Sequence, residues 1–319
     1  MDNKENGYKV KLSFSQMTTF RICRQRWAFG YQDKITNKID RPPLFLGGLV
    51  HKVLARLYQK TITLNSTSDL CTYFFELANS HISKLDRLWP NLDKYIDELE
   101  HQKNLGMAMI TGYMQYMEKN RKFEPIPEWV EKKFEIPIPT PSGHPSNKFI
   151  FRGAIDGIVK YMGHYWVHEI KTSSGWSEGD IQLLSIDPQI MGYCWAAEKT
   201  FNIKIAGAIF SVIGKCQLKL KKTEEEIDFR SRIIKDYSDR PERYFHRHFI
   251  YYNRQDIDGF ANTLWEMAKD MSNPRIYKSV GKSTCGFGCN FKELCLNPEV
   301  RNIFYINKSE RTQLLKEDD

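Results

Sequence analysis

Two acidic residues stand inside apolar strands, and they restrict this chain more than any other feature. Asp156 falls in F-I-F-R-G-A-I-D-G-I-V (149–159) and Glu169 in Y-W-V-H-E-I-K (165–171). An unpaired carboxylate is costly to bury, so each needs a compensating partner. Side chains alternate along a strand, which puts Glu169 and Lys171 on one face. Gly163-His164 reads as a turn that folds the strand 149–160 back against Tyr165–Thr172 and carries Asp156 toward Glu169. Two converging carboxylates form a hard oxygen site suited to magnesium or manganese. Lys171 beside them can position water and stabilise charge on a phosphate. The same residues also allow a plainer reading, a buried Glu169–Lys171 ion pair with Asp156 serving a turn.

The surrounding pattern frames these strands with helices. Trp129–Pro139 alternates before running into Pro137, Pro139, Pro141 and Gly143, the residues 188–200 read as a helix, and Ile205–Val212 as a further strand. Helix, three strands, helix, strand is an order that suits a mixed sheet covered by helices, an α/β class. Upstream, a helix from near Ser15 carries Phe20, Cys23 and Trp27. Another has Leu49, Val50, Val53, Leu54 and Leu57 at helical spacing after Gly47-Gly48. Helical stretches at about 68–83 and 92–120 read as an insertion before the sheet. The expected division is an N-terminal segment 1–45, a core 46–215 with a helical insertion 65–122, a C-terminal segment 216–297, and a partly ordered tail 298–319.

With 41% hydrophobic residues among 319, the chain can build a full core. Its formal charge of +8 favours a polyanionic partner. Nothing in it is long and apolar enough to span a bilayer, so a cytoplasmic location with reduced thiols is expected. The seven cysteines are therefore not read as a disulfide framework. Cys285, Cys289 and Cys295 form C-x3-C-x5-C with Gly286 and Gly288 between them, and Cys23 lies far upstream. The plainer readings are a local zinc knuckle or buried cysteines that bind nothing. Structural zinc typically takes two short Cys/His pairs, and no second pair is evident, while four thiolates also suit an iron–sulfur cluster. Cys71, Cys194 and Cys216 read as buried small apolar residues.

Other residues are ambiguous alone. His51 borders an apolar helical face, where a lone histidine is more often structural than a ligand. Gln189 and Tyr193 are one turn apart and share a helix face. Arg21, Arg24 and Arg26 could follow a phosphate backbone, with Trp27, Phe29 and Tyr31 as a stacking surface, although aromatics so spaced are usually core. His246 and His248 share a strand face and could bind metal, but no third ligand is visible nearby.

Taken together, G-G-L-V-H at 47–51, G-A-I-D-G at 153–157, E-I-K at 169–171 and Q-I-M-G-Y at 189–193 resemble the RecB-like branch of the PD-(D/E)xK nuclease superfamily, in both order and placement. The Pro-Asp pair usual in the superfamily is absent here, since Ile155 precedes Asp156. The resemblance implies a restriction-endonuclease-like mixed central sheet flanked by helices. It implies that His51, Asp156, Glu169 and the backbone carbonyl of Ile170 ligate Mg2+ or Mn2+, that Lys171 positions the attacking water, and that Gln189 and Tyr193 hold the substrate strand or the water network. The layout of Cys23 with Cys285, Cys289 and Cys295 resembles RecB-like nucleases of the iron–sulfur type, such as AddB nuclease domains and CRISPR adaptation nucleases. In these a structural 4Fe–4S cluster joins the N- and C-terminal segments; their usual C-terminal spacing is C-x2-C-x5-C, one residue shorter than here. The implied function is a metal-dependent deoxyribonuclease, an exonuclease on single strands or DNA ends, hydrolysing phosphodiesters by metal-activated water. Its expected setting is recombination, repair, phage DNA metabolism or CRISPR adaptation, with a helicase or adaptation protein as partner. The alternative is a non-cleaving DNA-end binding subunit; intact Asp156, Glu169 and Lys171 favour cleavage.

Overall fold

The computed structural model describes residues 10–59, 67–120, 122–286 and 288–315, and it is a mixed α/β protein. The polar N-terminal stretch 1–6 lies outside the described residues. The strands are β1 (Val10–Leu12), β2 (Ile35–Asn37), β3 (Glu124–Pro125), β4 (Lys132–Pro139), β5 (Pro145–Ile155), β6 (Gly157–Tyr161), β7 (His164–Ser173), β8 (Ile205–Gly214), β9 (Phe245–Ile250) and β10 (Tyr305–Asn307). They form three sheets in two compact units.

One unit comprises Met1–Asp40, Lys133–Gly153 and Asp258–Asp319. Its three-stranded sheet has the order β1-β5-β4, with β1 parallel to β5. Aromatic side chains fill it: Phe149 packs edge-on to Trp265 at 5.2 Å, and Phe151 lies 5.2 Å from Phe134. A second small sheet pairs β2 antiparallel with β10. Behind it Ile35, Phe291, Leu294 and Tyr305 form a buried cluster, with Phe29 and Cys289 against it. The residues 298–315 of the expected tail carry regular structure, and 316–319 lie outside the described residues. Within 298–315 are β10 and the helix Lys308–Leu314, and Arg311 reaches back to Asp40 at 2.8 Å. The composition of 298–315 is polar, but a strand partner distant in sequence supplies the structure that composition does not show.

The other unit comprises Arg41–Lys132 and Ala154–Ile257. Its sheet has the order β3-β6-β7-β8-β9, with β7 parallel to β8 and the remaining pairs antiparallel. The expected mixed sheet is thus present, but the stretch 149–160 is not one strand. It breaks at a bend at Asp156, and β5 and β6 pair in different sheets. The hairpin from β6 to β7 turns through Met162 and Gly163, both at positive φ (48° and 78°), as a tight two-residue turn requires. Register then pairs Gly157 with His168. Three helices, Pro42–Gln59, Thr67–Leu88 and Asp93–Asn120, belong to this unit. The last two realise the expected helical stretches, the first of them running on to Leu88.

Gly106, inside Asp93–Asn120, lies tight against side chains of the other two helices. A Cβ there would stand 2.2 Å from Phe74 Cζ and 2.8 Å from Leu46 Cδ1. Gly→Ala in a helix interior ordinarily stabilises by roughly 0.5–1 kcal/mol. Here overpacking wins, and Gly106→Ala is expected to destabilise by about 1–3 kcal/mol, read as a lower urea midpoint at unchanged slope. A midpoint that rises would show that Phe74 yields freely.

Candidate metal centre

The candidate site is built from one helix, one bend, one strand and one further helix. The helix Pro42–Gln59 starts earlier than the pair Gly47-Gly48 suggests, because Pro is well suited to a first helical turn. It buries Phe45, Leu46, Leu49, Val50, Val53 and Leu54. A Cβ on Gly47 would lie 3.1 Å from Thr172 Oγ1 near the end of β7, so glycine lets the helix approach that strand. One turn further on, His51 Nδ1 lies 3.7 Å from Asp156 Oδ2.

Asp156 sits on the bend rather than in a strand, and Oδ2 accepts the Ile170 amide at 3.0 Å. The carboxylate is thereby tied to β7 at the residue after Glu169. His51 also reaches the main chain of Ile170, and this contact with the Asp156 charge supports its protonated form. Burial opposes that and prevails, with help from the Lys171 charge, so the imidazole pKa is lowered. A neutral imidazole is the form that ligates metal.

Glu169 is 1% exposed. Its Oε1 accepts from Lys171 Nζ, and from Gln189 Nε2 at 3.3 Å. Its Oε2 is buried with no hydrogen-bond partner among the described residues. Burial pushes this carboxyl up, and the Asp156 carboxylate pushes it further, against the pull of Lys171. Burial works against the Lys171 ammonium too, but its ion pair with Glu169 outweighs this and its pKa is raised. Gln189 also donates to Tyr193 OH at 3.2 Å, spanning one turn of the helix Pro188–Phe201. Burial, with the Glu169 charge, pushes the Tyr193 hydroxyl up to about 12, so it stays protonated.

One residue of the cluster had no sequence signal. Glu131 adopts a left-handed φ of 52°, and its amide donates to the Asp156 carbonyl at 3.1 Å. His51, Glu131 and Asp156 can each present a ligand atom within 4.8 Å of the others. The Glu131 carboxyl pKa is raised, by burial and then by the Asp156 charge. One imidazole and two carboxylates gather here. Glu169 stands outside that trio but close enough for the Asp156 charge to act on it, and its buried oxygen has no donor among the described residues. Such a donor set fits a hard divalent cation.

The family model of the PD-(D/E)XK nuclease superfamily matches residues 11–296. The chain belongs to this superfamily. Its members are usually metal-dependent nucleases that work with divalent ions such as Mg2+ or Mn2+. Among solved structures, the crystal structure of SSO0001 is similar at 16% identity, covering 68% of this chain and 80% of that one, with a TM-score of 0.31. No curated protein matches the chain.

Elsewhere in this PD-(D/E)XK chain, the cysteines form a second group. Cys23 is not inside the first helix as expected. It stands at a break between Phe14–Ile22 and Arg24–Trp27, with an extended backbone (φ −159°). The first helix starts at a Ser13–Gln16 capping box. Burial raises the Cys295 thiol, Lys278 opposes this, and Cys289, Cys23 and Cys285 raise it further. All four are free cysteines. Cys194 and Cys216 are buried as expected; Cys71 is half-buried against Thr111.

The proposed stacking surface is not assembled. Trp27 is buried edge-on to Phe20 at 5.1 Å, Phe29 packs on Phe291 at 5.6 Å, and the Tyr31 ring lies 4.4 Å from Lys308 Nζ. Arg24 covers Phe20 at 4.3 Å. His246 and His248 stack in parallel at 6.3 Å, and Trp176 Nε1 donates to His248 Nε2 at 3.3 Å. Among the described residues, no helix is long and apolar enough to cross a membrane.

Proposed function

We propose that this chain is a metal-dependent deoxyribonuclease of the RecB-like, iron–sulfur type, acting as an exonuclease on single strands or DNA ends. The observation that carries this reading is Glu169, a buried carboxylate with an unpartnered oxygen, facing a second carboxylate and a lysine. Two acids this close are stabilised by a cation, and Lys171 neutralises only one of them.

His51, Asp156, Glu169 and the Ile170 carbonyl would hold Mg2+ or Mn2+, with Glu131 at the same cluster. When bound, the ion lowers the pKa of water and neutralises charge on phosphate oxygens. Lys171 is 42% exposed at the side chain, so its ammonium can face the substrate while Glu169 fixes its position. There it would orient the attacking water and meet charge developing on the phosphate. The Gln189 amide holds both Glu169 and Tyr193, and so sets the carboxylate's rotamer. Tyr193, kept protonated, can donate to a strand phosphate.

Cys23, Cys285, Cys289 and Cys295 would hold a 4Fe–4S cluster; all four are free cysteines, and a cluster of this type takes four thiolates. Its role would be structural, closing the N- and C-terminal segments on each other. The biological setting would be recombination, repair or CRISPR adaptation, with a helicase or adaptation partner.

The test is a time course on end-labelled single- and double-stranded DNA with Mg2+ or Mn2+, repeated with chelator. Progressive shortening from an end that stops on chelation is expected. Intact DNA under every metal condition, with the strand still bound, would favour a non-cleaving end-binding subunit instead.

A further inference from the structure

A cavity of about 240 Å³ opens beside the C-terminal end of β7. Ser173, Lys215, Gln217, Arg243 and His246 line it, Trp176 forms one wall, and among the described residues no acidic side chain contributes to the lining. Lys215 is only 9% exposed and donates to the Pro43 carbonyl at 3.1 Å. Burial lowers its ammonium pKa, and no carboxylate among the described residues forms an ion pair with it. A buried ammonium without a counter-charge is costly, and an exposed guanidinium and an imidazole stand in the same cavity. The chemistry that would relieve these groups is an oxyanion.

The sheet register places the cavity relative to the candidate metal centre. Glu169 pairs with Phe210 and Phe210 with His248; Lys171 pairs with Val212 and Val212 with His246. Paired residues project from the same face, so His246 stands on the face that carries Lys171, two strands or about 10 Å away. Trp176 lies over this face, stacked on Phe210 at 5.4 Å with 20° between the planes. With a rise of about 3.4 Å per nucleotide in a helical strand, about 10 Å corresponds to a few nucleotides.

We propose that this cavity binds a phosphate group of the nucleic-acid strand, a few nucleotides from the bond that is cut. The inference rests on the nuclease reading above and adds the strand's second point of attachment. The phosphate is either a terminal monoester or an internal diester, and both would be met by Arg243 and Lys215 with donors from Ser173 and Gln217.

The experiment is fluorescence anisotropy of labelled oligothymidylate in Ca2+ buffer with the full chain, for wild type, Arg243→Gln and Lys215→Met. The arms are a 5′-phosphorylated, a 3′-phosphorylated and a hydroxyl-ended strand, and an unlabelled circle as competitor. Both variants should weaken binding about tenfold and flatten the dependence of log K on log salt by about 0.7 for each phosphate no longer neutralised. A terminal site shows as a wild-type preference for one phosphorylated end that Arg243→Gln abolishes. An internal site shows as equal weakening on every strand, the circle included. Arg243 is exposed, so its replacement does not test folding. Wild-type affinity and salt slope in Arg243→Gln would overturn the proposal. Cleavage with Mg2+ is read on the same proteins: unchanged binding in the variants with cleavage intact sinks this inference alone, and binding without any cleavage sinks the nuclease reading instead.

Discussion

Asp156→Asn and Lys171→Met are each expected to lower metal-dependent cleavage by at least about 10²-fold, while only Lys171→Met lowers stability. The loss corresponds to about 2.7 kcal/mol or more of transition-state stabilisation, the range seen when one preorganised electrostatic group is removed. Asp156→Asn keeps an oxygen for the Ile170 amide but removes the charge that, after burial, most disfavours ionised Glu169. Without metal this variant should therefore be as stable as wild type or more so. Lys171→Met keeps the aliphatic stem and strands Glu169 without its counter-ion, which should cost about 1–3 kcal/mol. A folding defect alone would move activity and stability together. Measuring kcat/KM on one labelled strand beside chemical denaturation separates the two. Equal stability loss in both variants would mean that Asp156 acts as a turn residue after all.

The second large effect concerns the thiols. Cys285→Ala and Cys295→Ala should each abolish a broad visible absorbance and reduce iron from about four per chain toward none, since the cluster type takes four thiolates. They should also lower thermal stability, because Cys289 packs against the buried cluster of Ile35, Phe291, Leu294 and Tyr305, which links the β2–β10 sheet to the cysteine turn. Cys71→Ala should leave iron content unchanged, as that thiol faces Thr111 on the helices Thr67–Leu88 and Asp93–Asn120. Colourless wild-type protein carrying only zinc would reject the iron–sulfur assignment.

Local chemistry made part of this site readable from the chain. The alternation of Glu169 and Lys171, the glycine turn at Gly163 and the one-turn spacing of Gln189 and Tyr193 are short-range properties. The turn sets the β6–β7 register that places the Ile170 amide on Asp156, and Gln189 joins Glu169 to Tyr193. Glu131 was not readable, because its place is set by a left-handed turn and one main-chain bond to Asp156, which no spacing encodes. The same limit explains the break at Cys23, which interrupts an otherwise helical pattern, and the strand β10, whose partner β2 lies far away in sequence. The stretch 149–160 is continuous in hydropathy, yet the bend at Asp156 divides it between two sheets.

Manganese binding followed by electron paramagnetic resonance tests the central claim most directly, using wild type, His51→Ala, Glu131→Gln and Asp156→Asn. Wild type should bind Mn2+ saturably, His51→Ala and Asp156→Asn should weaken it at least about tenfold, and Glu131→Gln should weaken it less. Four proteins with the same Mn2+ affinity would contradict the account, since the ion would then be held somewhere other than between the bend at 156 and the helix that carries His51.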